Sequence, residues 1–142
     1  MITVDASVLV AAASRTDEAR PDALAFLAAV AVADLPIHQP TLSLVEVAAA
    51  IARRTGDAEL AQEAGATLLA MPGVLMHSLD LETSAEAAAV AARLLLRGAD
   101  AIYAATALRY RSTLVTLDDE IRSRASVLID VASPSEWLRR QQ

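Results

Sequence analysis

The rhythm of the chain constrains its fold more than any other feature: five short runs, mostly apolar, are separated from one another by segments with helical spacing. Met1 to Val4 reads as a buried strand, and so do Val74 to His77, Thr113 to Thr116 and Val127 to Val131. Ile37 to Gln39, bracketed by Pro36 and Pro40, is a very short further candidate. Strands that are apolar throughout, with helices between them, belong to a parallel sheet covered on both faces. The fold class predicted is therefore α/β, with a central parallel sheet of about five short strands flanked by helices.

Helices are predicted from Ala6 to Ala13, Asp22 to Ala33, Leu42 to Arg54, Asp57 to Ala70, Leu81 to Leu96, Asp100 to Tyr110 and Asp118 to Ala125. A terminal helix starts at Pro134. Pro21 can open the second helix, Thr41 and Asp80 suit N-caps, and Gly56 and Gly98 are stop signals. The chain has 142 residues, 55% of them hydrophobic, with aromatics at only 3%. Its core must close through Ala, Leu and Val, and alanine favours helices. Without repeats, low-complexity tracts or linkers, residues 1–142 read as one domain. Asp5 interrupts the start before any signal-peptide pattern can form. The longest uncharged stretch, Ala64 to Leu79, is broken by Gly65, Pro72 and Gly73 and is too short to span a bilayer. A soluble, cytoplasmic protein with no membrane partner is expected.

Cysteine is absent, which excludes disulfides, thiolate metal sites and a thiol nucleophile. Two histidines far apart in sequence are too few for a typical zinc site, and ordinary packing is their expected role. Any metal is expected to be a hard cation with oxygen ligands, Mg²⁺ or Mn²⁺. The net charge of −6 argues against nonspecific attraction to a polyanion, although site acids themselves lower the total. All 12 basic residues are arginine, a pattern that GC-rich coding explains as well as phosphate binding does. Glycine-rich phosphate loops, Gly-x-Ser-x-Gly and the metalloprotease His-Glu pattern are all missing.

Four acids stand where the fold wants apolar residues. Asp5 ends the first strand, and Glu46 is embedded in Leu42-Ser43-Leu44-Val45-Glu46-Val47. Asp100 opens an apolar helix, and Asp118 follows the strand Thr113 to Thr116. A buried carboxylate is costly unless protonated, paired or metal-bound. Asp5 and Asp118 both fall at carboxyl ends of strands, where α/β sheets bind ligands. On neighbouring strands about 4.8 Å apart they could share one ion. Each acid also has a purely structural explanation. Asp5 suits a turn or N-cap, and Glu46 could lie on a solvated face with Ser43 and Arg53. Asp100 and the run Asp118-Asp119-Glu120 suit helix N-termini. Asp119 competes with Asp118 as the acid nearest the strand end.

Taken together, these segments resemble the PIN domain, and within it the VapC-like toxins of toxin–antitoxin pairs. The resemblance rests on Ile2-Thr3-Val4-Asp5-Ala6-Ser7, Ser43-Leu44-Val45-Glu46, Ala99-Asp100-Ala101-Ile102-Tyr103-Ala104-Ala105-Thr106-Ala107 and Leu114-Val115-Thr116-Leu117-Asp118. The ending Pro134-Ser135-Glu136-Trp137-Leu138 is also similar. It implies a metal-dependent endoribonuclease whose acids are Asp5, Glu46, Asp100 and Asp118, with Ser7 and Thr116 at supporting hydroxyl positions. It also implies a small VapB-like antitoxin and a homodimer. The chemistry expected is a Mg²⁺- or Mn²⁺-activated water attacking the phosphodiester, with Asp5 and Asp118 holding the ion most directly. The rivals are a catalytically silent PIN-like interaction module and a phospho-accepting α/β domain. The second lacks an acid-x-acid strand end and any lysine.

Overall fold

The computed structural model describes residues 1–142. Its elements are β1 (Ile2–Val4), α1 (Ala6–Ala13), α2 (Arg20–Val32), β2 (Ile37–Pro40), α3 (Leu42–Thr55), α4 (Ala58–Ala70) and β3 (Val74–His77). There follow α5 (Leu81–Leu94), α6 (Gly98–Tyr110), β4 (Thr113–Val115), α7 (Asp119–Ala125), β5 (Val131–Ala132) and α8 (Pro134–Arg139). All five strands join one parallel sheet in the order β3-β2-β1-β4-β5, as the strand–helix rhythm predicts. The winding direction reverses between β1 and β4, and such a reversal opens a crevice at the carboxyl ends of the two strands.

Helices cover both faces of the sheet. One core joins Val4, Ile37 and Val115 to Val8, Phe26, Val47 and Trp137. The other packs Leu114 against Val90, Tyr103, Ala104 and Ile121. In the first core, Phe26 meets Trp137 edge to face at 5.2 Å, a favoured geometry for two aromatic rings. The many alanines let α6 lie close on the second face, where Ala101, Ala104 and Ala107 are fully buried. No helix is long and apolar enough to cross a membrane.

Several boundaries differ from the sequence expectation, three of them with a clear local cause. The last strand is Val131–Ala132 rather than Val127 to Val131. Ala125 accepts hydrogen bonds from the amides of Leu128 and Ile129, so the apolar run after α7 turns instead of extending. The ladder starts only where Asp130 O meets Leu114 N. Helix α5 ends at Leu94 because Leu95 turns left-handed (φ 54°). This lets Leu94 and Leu96 bury on either side of an exposed Leu95. Helix α6 then starts at Gly98, which makes Asp100 its third residue rather than its first. Thr41 holds the N-cap position of α3 without a side-chain cap, whereas Asp80 caps α5 through Thr83 N.

Candidate active site

Strands β1 and β4 are neighbours, with Val4 opposite Val115, so the residues that follow them emerge side by side at the crevice. Asp5 is the N-cap of α1 and Asp118 the N-cap of α7. Asp100 lies in the first turn of α6. Three helix N-termini thus present their positive ends to three carboxylates, a placement that favours negative charge.

Two hydroxyls latch the loops together. Asp5 Oδ2 accepts hydrogen bonds from Ser7 N (3.3 Å), from Ser7 Oγ and from Thr116 Oγ1 (2.8 Å). Ser7 Oγ in turn accepts from Leu117 N at 3.1 Å, and Thr116 Oγ1 from Asp118 N at 3.0 Å. Each hydroxyl therefore donates to Asp5 and accepts an amide of the segment that carries Asp118. Asp118 Oδ1 accepts from Glu120 N (2.7 Å) and Ile121 N (3.1 Å). A further clamp acts one residue before Asp5: the Gln39 side chain accepts from Val4 N (2.9 Å) and donates to Val4 O (2.8 Å). Gln39 is fully buried and completes the β1–β2 edge like a backbone partner. Sequence reasoning missed it; a polar residue inside a predicted strand was the available signal.

Asp100 lies within electrostatic reach of the other three acids. Asp5 is buried, and its carboxyl is pushed above the usual range by burial, against the pull of Ser7 and Thr116. Asp100 is pushed up to about 6 by burial, then by the charges of Asp5 and Asp118 and, more weakly, Glu46, while Arg97 pulls the other way. Glu46 extends from α3 with Oε2 buried and unpartnered. Its helix face is not the solvated one: Ser43 is fully buried and donates to Pro40 O at 2.8 Å. Tyr103 of α6 lies against the Glu46 carboxylate, and burial together with that charge pushes its hydroxyl pKa strongly up. The bond between the two is not closed, since Tyr103 Oη and Glu46 Oε2 both lack a partner.

Asp119 stands apart from this group. Its side chain is 87% exposed and pairs with Arg122 at 2.5 Å. In this side-chain arrangement no three acidic or histidine side chains are close enough to share one ion, as mutual repulsion of carboxylates favours. The donors on offer are all oxygens, a set that suits a hard divalent cation rather than zinc. Glu46 Oε2, a buried acceptor with nothing to accept from, fits such a cation as well.

The two histidines do meet, away from the acids. His38 Nδ1 lies 2.9 Å from His77 Nε2, and His77 Nδ1 lies 2.9 Å from Tyr110 Oη. The three rings stack with centroids 4.0–5.2 Å apart. Burial lowers the pKa of both imidazoles, aided by His77 at His38 and by Arg109 at His77. The rings thus form one stacked, hydrogen-bonded group, where ordinary packing was expected of two separate histidines. Elsewhere, an apolar groove of ≈ 1010 Å³ opens between α1, α2, α3 and α4, lined among others by Leu9, Leu24, Leu27, Val47, Leu60 and Leu68.

The PIN domain family model matches residues 2–127. No curated protein matches the chain. Among solved structures, Mycobacterium tuberculosis VapC20, a "Sarcin-Ricin loop cleaving toxin", is similar with TM-score 0.75 at 19% identity, over 87% of this chain and 94% of that one. Rickettsia felis VapBC2, solved bound to a DNA fragment from its promoter, gives 0.72 at 14% identity, over 94% of this chain and 98% of that one. FitAcB from Neisseria gonorrhoeae gives 0.69 at 18% identity, over 95% and 99%. At these identities the likeness speaks to the fold.

Proposed function

Because this chain belongs to the PIN domain family, we propose that it is a Mg²⁺- or Mn²⁺-dependent endoribonuclease and the toxin of a VapBC-type toxin–antitoxin pair. One observation carries the reading: Asp5, Glu46 and Asp118 all bear electrostatically on Asp100, at the crevice between β1 and β4. Four acids have little reason to gather there unless a cation joins them.

Asp5 and Asp118 would hold the cation. Each has one oxygen anchored by the fold, so its carboxylate is already oriented. Glu46 and Asp100 would orient water, with Ser7 and Thr116 keeping Asp5 in place. A bound divalent cation supplies charge neutralisation, Lewis acidity toward a phosphodiester and an activated water. Attack by water leaves the RNA 2′-hydroxyl uninvolved, so the products carry 5′-phosphate ends. RNA as substrate, a small antitoxin as partner and a homodimer as working form complete the proposal. The apolar groove between α1, α2, α3 and α4 has the size to receive a partner segment.

The test is cleavage of a panel of structured RNAs by partner-free protein with Mg²⁺ or Mn²⁺, with the ends mapped, beside Asp5→Asn. Cleavage that yields 5′-phosphates, stops on chelation and is lost in Asp5→Asn supports the proposal. Failure of the wild type on every RNA, or equal cleavage by both proteins, overturns it. A catalytically silent interaction module is the second reading, favoured by the lack of any closed three-acid cluster. It predicts no carboxylate-dependent Mn²⁺ binding.

A further inference from the structure

We infer that the Tyr103 hydroxyl is a positioning group for Glu46, donating the hydrogen bond that fixes this carboxylate when a divalent cation occupies the acid cluster. The inference rests on the reading of that cluster as a cation site and adds a residue to it.

Tyr103 is 1% exposed, and its hydroxyl has no hydrogen-bond partner. Glu46 Oε2 is also buried and unpartnered, and it belongs to the carboxylate against which the hydroxyl lies. Buried polar atoms left unpaired are rare and costly. Here one hydrogen bond satisfies both. The roles are fixed by chemistry, because an ionised carboxylate only accepts and a phenol is the available donor. Packing explains the ring but not the hydroxyl, since phenylalanine would fill the same space in the second core without stranding a polar atom. Tyr103 stands three residues after Asp100, on the same side of α6. One helix thus supplies one acid and a donor to a second acid on α3. Without a cation, Asp100 and Glu46 repel each other. With the charge neutralised, the carboxylate can settle where its free oxygen meets the phenol. Such partners set the orientation of a ligating group and commonly decide its affinity for metal.

The experiment is calorimetric Mn²⁺ titration of wild type, Tyr103→Phe, Glu46→Gln and the double variant, with Asp5→Asn as control. Tyr103→Phe is expected to weaken Mn²⁺ binding about tenfold, with a metal-free Tm no lower than wild type. On the Glu46→Gln background the same change should alter affinity less than about twofold, since coupled residues are non-additive. An affinity for Tyr103→Phe within about twofold of wild type, or an equal loss on both backgrounds, would overturn the inference. Loss of binding in Asp5→Asn alone would leave the cation site standing and remove only Tyr103 from it. Unchanged binding in Asp5→Asn would instead count against the site itself. A second measurement is independent of Tyr103→Phe folding. In Tyr110→Phe, Tyr103 is the sole remaining tyrosine of two. Its near-ultraviolet absorption should shift on Mn²⁺ saturation, and should not shift when Glu46→Gln is added. A flat difference spectrum with Glu46 in place contradicts the inference.

Discussion

Asp5 and Asp118 each commit one carboxylate oxygen to the fold, Oδ2 of Asp5 to Ser7 and Thr116 and Oδ1 of Asp118 to the amides of α7. This double duty separates Asp118 from its neighbour, since Asp119 points to solvent and pairs only with Arg122. Asparagine caps a helix as well as aspartate does, so Asp118→Asn should fold normally and lose only charge. RNA cleavage by Asp118→Asn is expected to fall at least about a hundredfold, the upper end of losses seen when the surroundings of a metal are disturbed. Asp119→Asn removes a surface ion pair, which is worth little, and should stay within about twofold of wild type. Rate measurements on the two variants, with circular dichroism to check the fold, decide between these acids.

The elements owe their placement to long-range polar ties as much as to apolar pattern. Ile2 and Ile37 are the register partners of β1 and β2, and the Gln39 side chain extends that edge by bonding both backbone groups of Val4. Gln39→Leu keeps the volume but strands a buried N–H and a buried C=O, and should lower stability by about 3 kcal/mol. Denaturant unfolding would show this as a lower midpoint at constant slope. The sheet itself was readable in the sequence, because β1, β3 and β4 are apolar runs with polar residues just beyond, although β3, expected to be buried, is an edge strand with Leu75 exposed. Asp5 and Asp118 were readable for the same reason, as acids at strand ends. The edge strand β5 was not, because its two residues carry too little pattern and the apolar run before it forms a turn. Glu46 looked equally suited to a solvated face, and the burial of its Oε2 and of Ser43 speaks against that option. Gln39 and Tyr103 escaped because their partners are distant in sequence, and no local rule pairs them.

At the scale of the molecule, two apolar cores clamp a sheet whose crevice carries a concentration of negative charge that the rest of the fold must hold together. Asp5 and Asp100 both have carboxyl pKa values raised in the folded protein, so without a cation the folded state binds protons more tightly than the unfolded one. The stability this contributes is fully present below about 4, the carboxyl value of the unfolded chain, and is lost as pH rises through about 6. His38 and His77, with lowered pKa values, act in the opposite direction over the same range, so the carboxylate contribution is read against Asp100→Asn: metal-free wild type should lose more Tm than this variant between about pH 5 and about pH 8, with Mn²⁺ raising the wild-type Tm more at the higher pH. Thermal scans of both proteins across pH, with and without the ion, check the sign; a metal-free wild-type Tm that falls no more with pH than that of Asp100→Asn would contradict it. The central claim, that these acids form one divalent-cation site, is tested most directly by calorimetric Mn²⁺ titration of wild type against Asp5→Asn at neutral pH. The account predicts saturable binding by the wild type and at least about tenfold weaker binding by Asp5→Asn; no binding by the wild type, or equal binding by both, would contradict it.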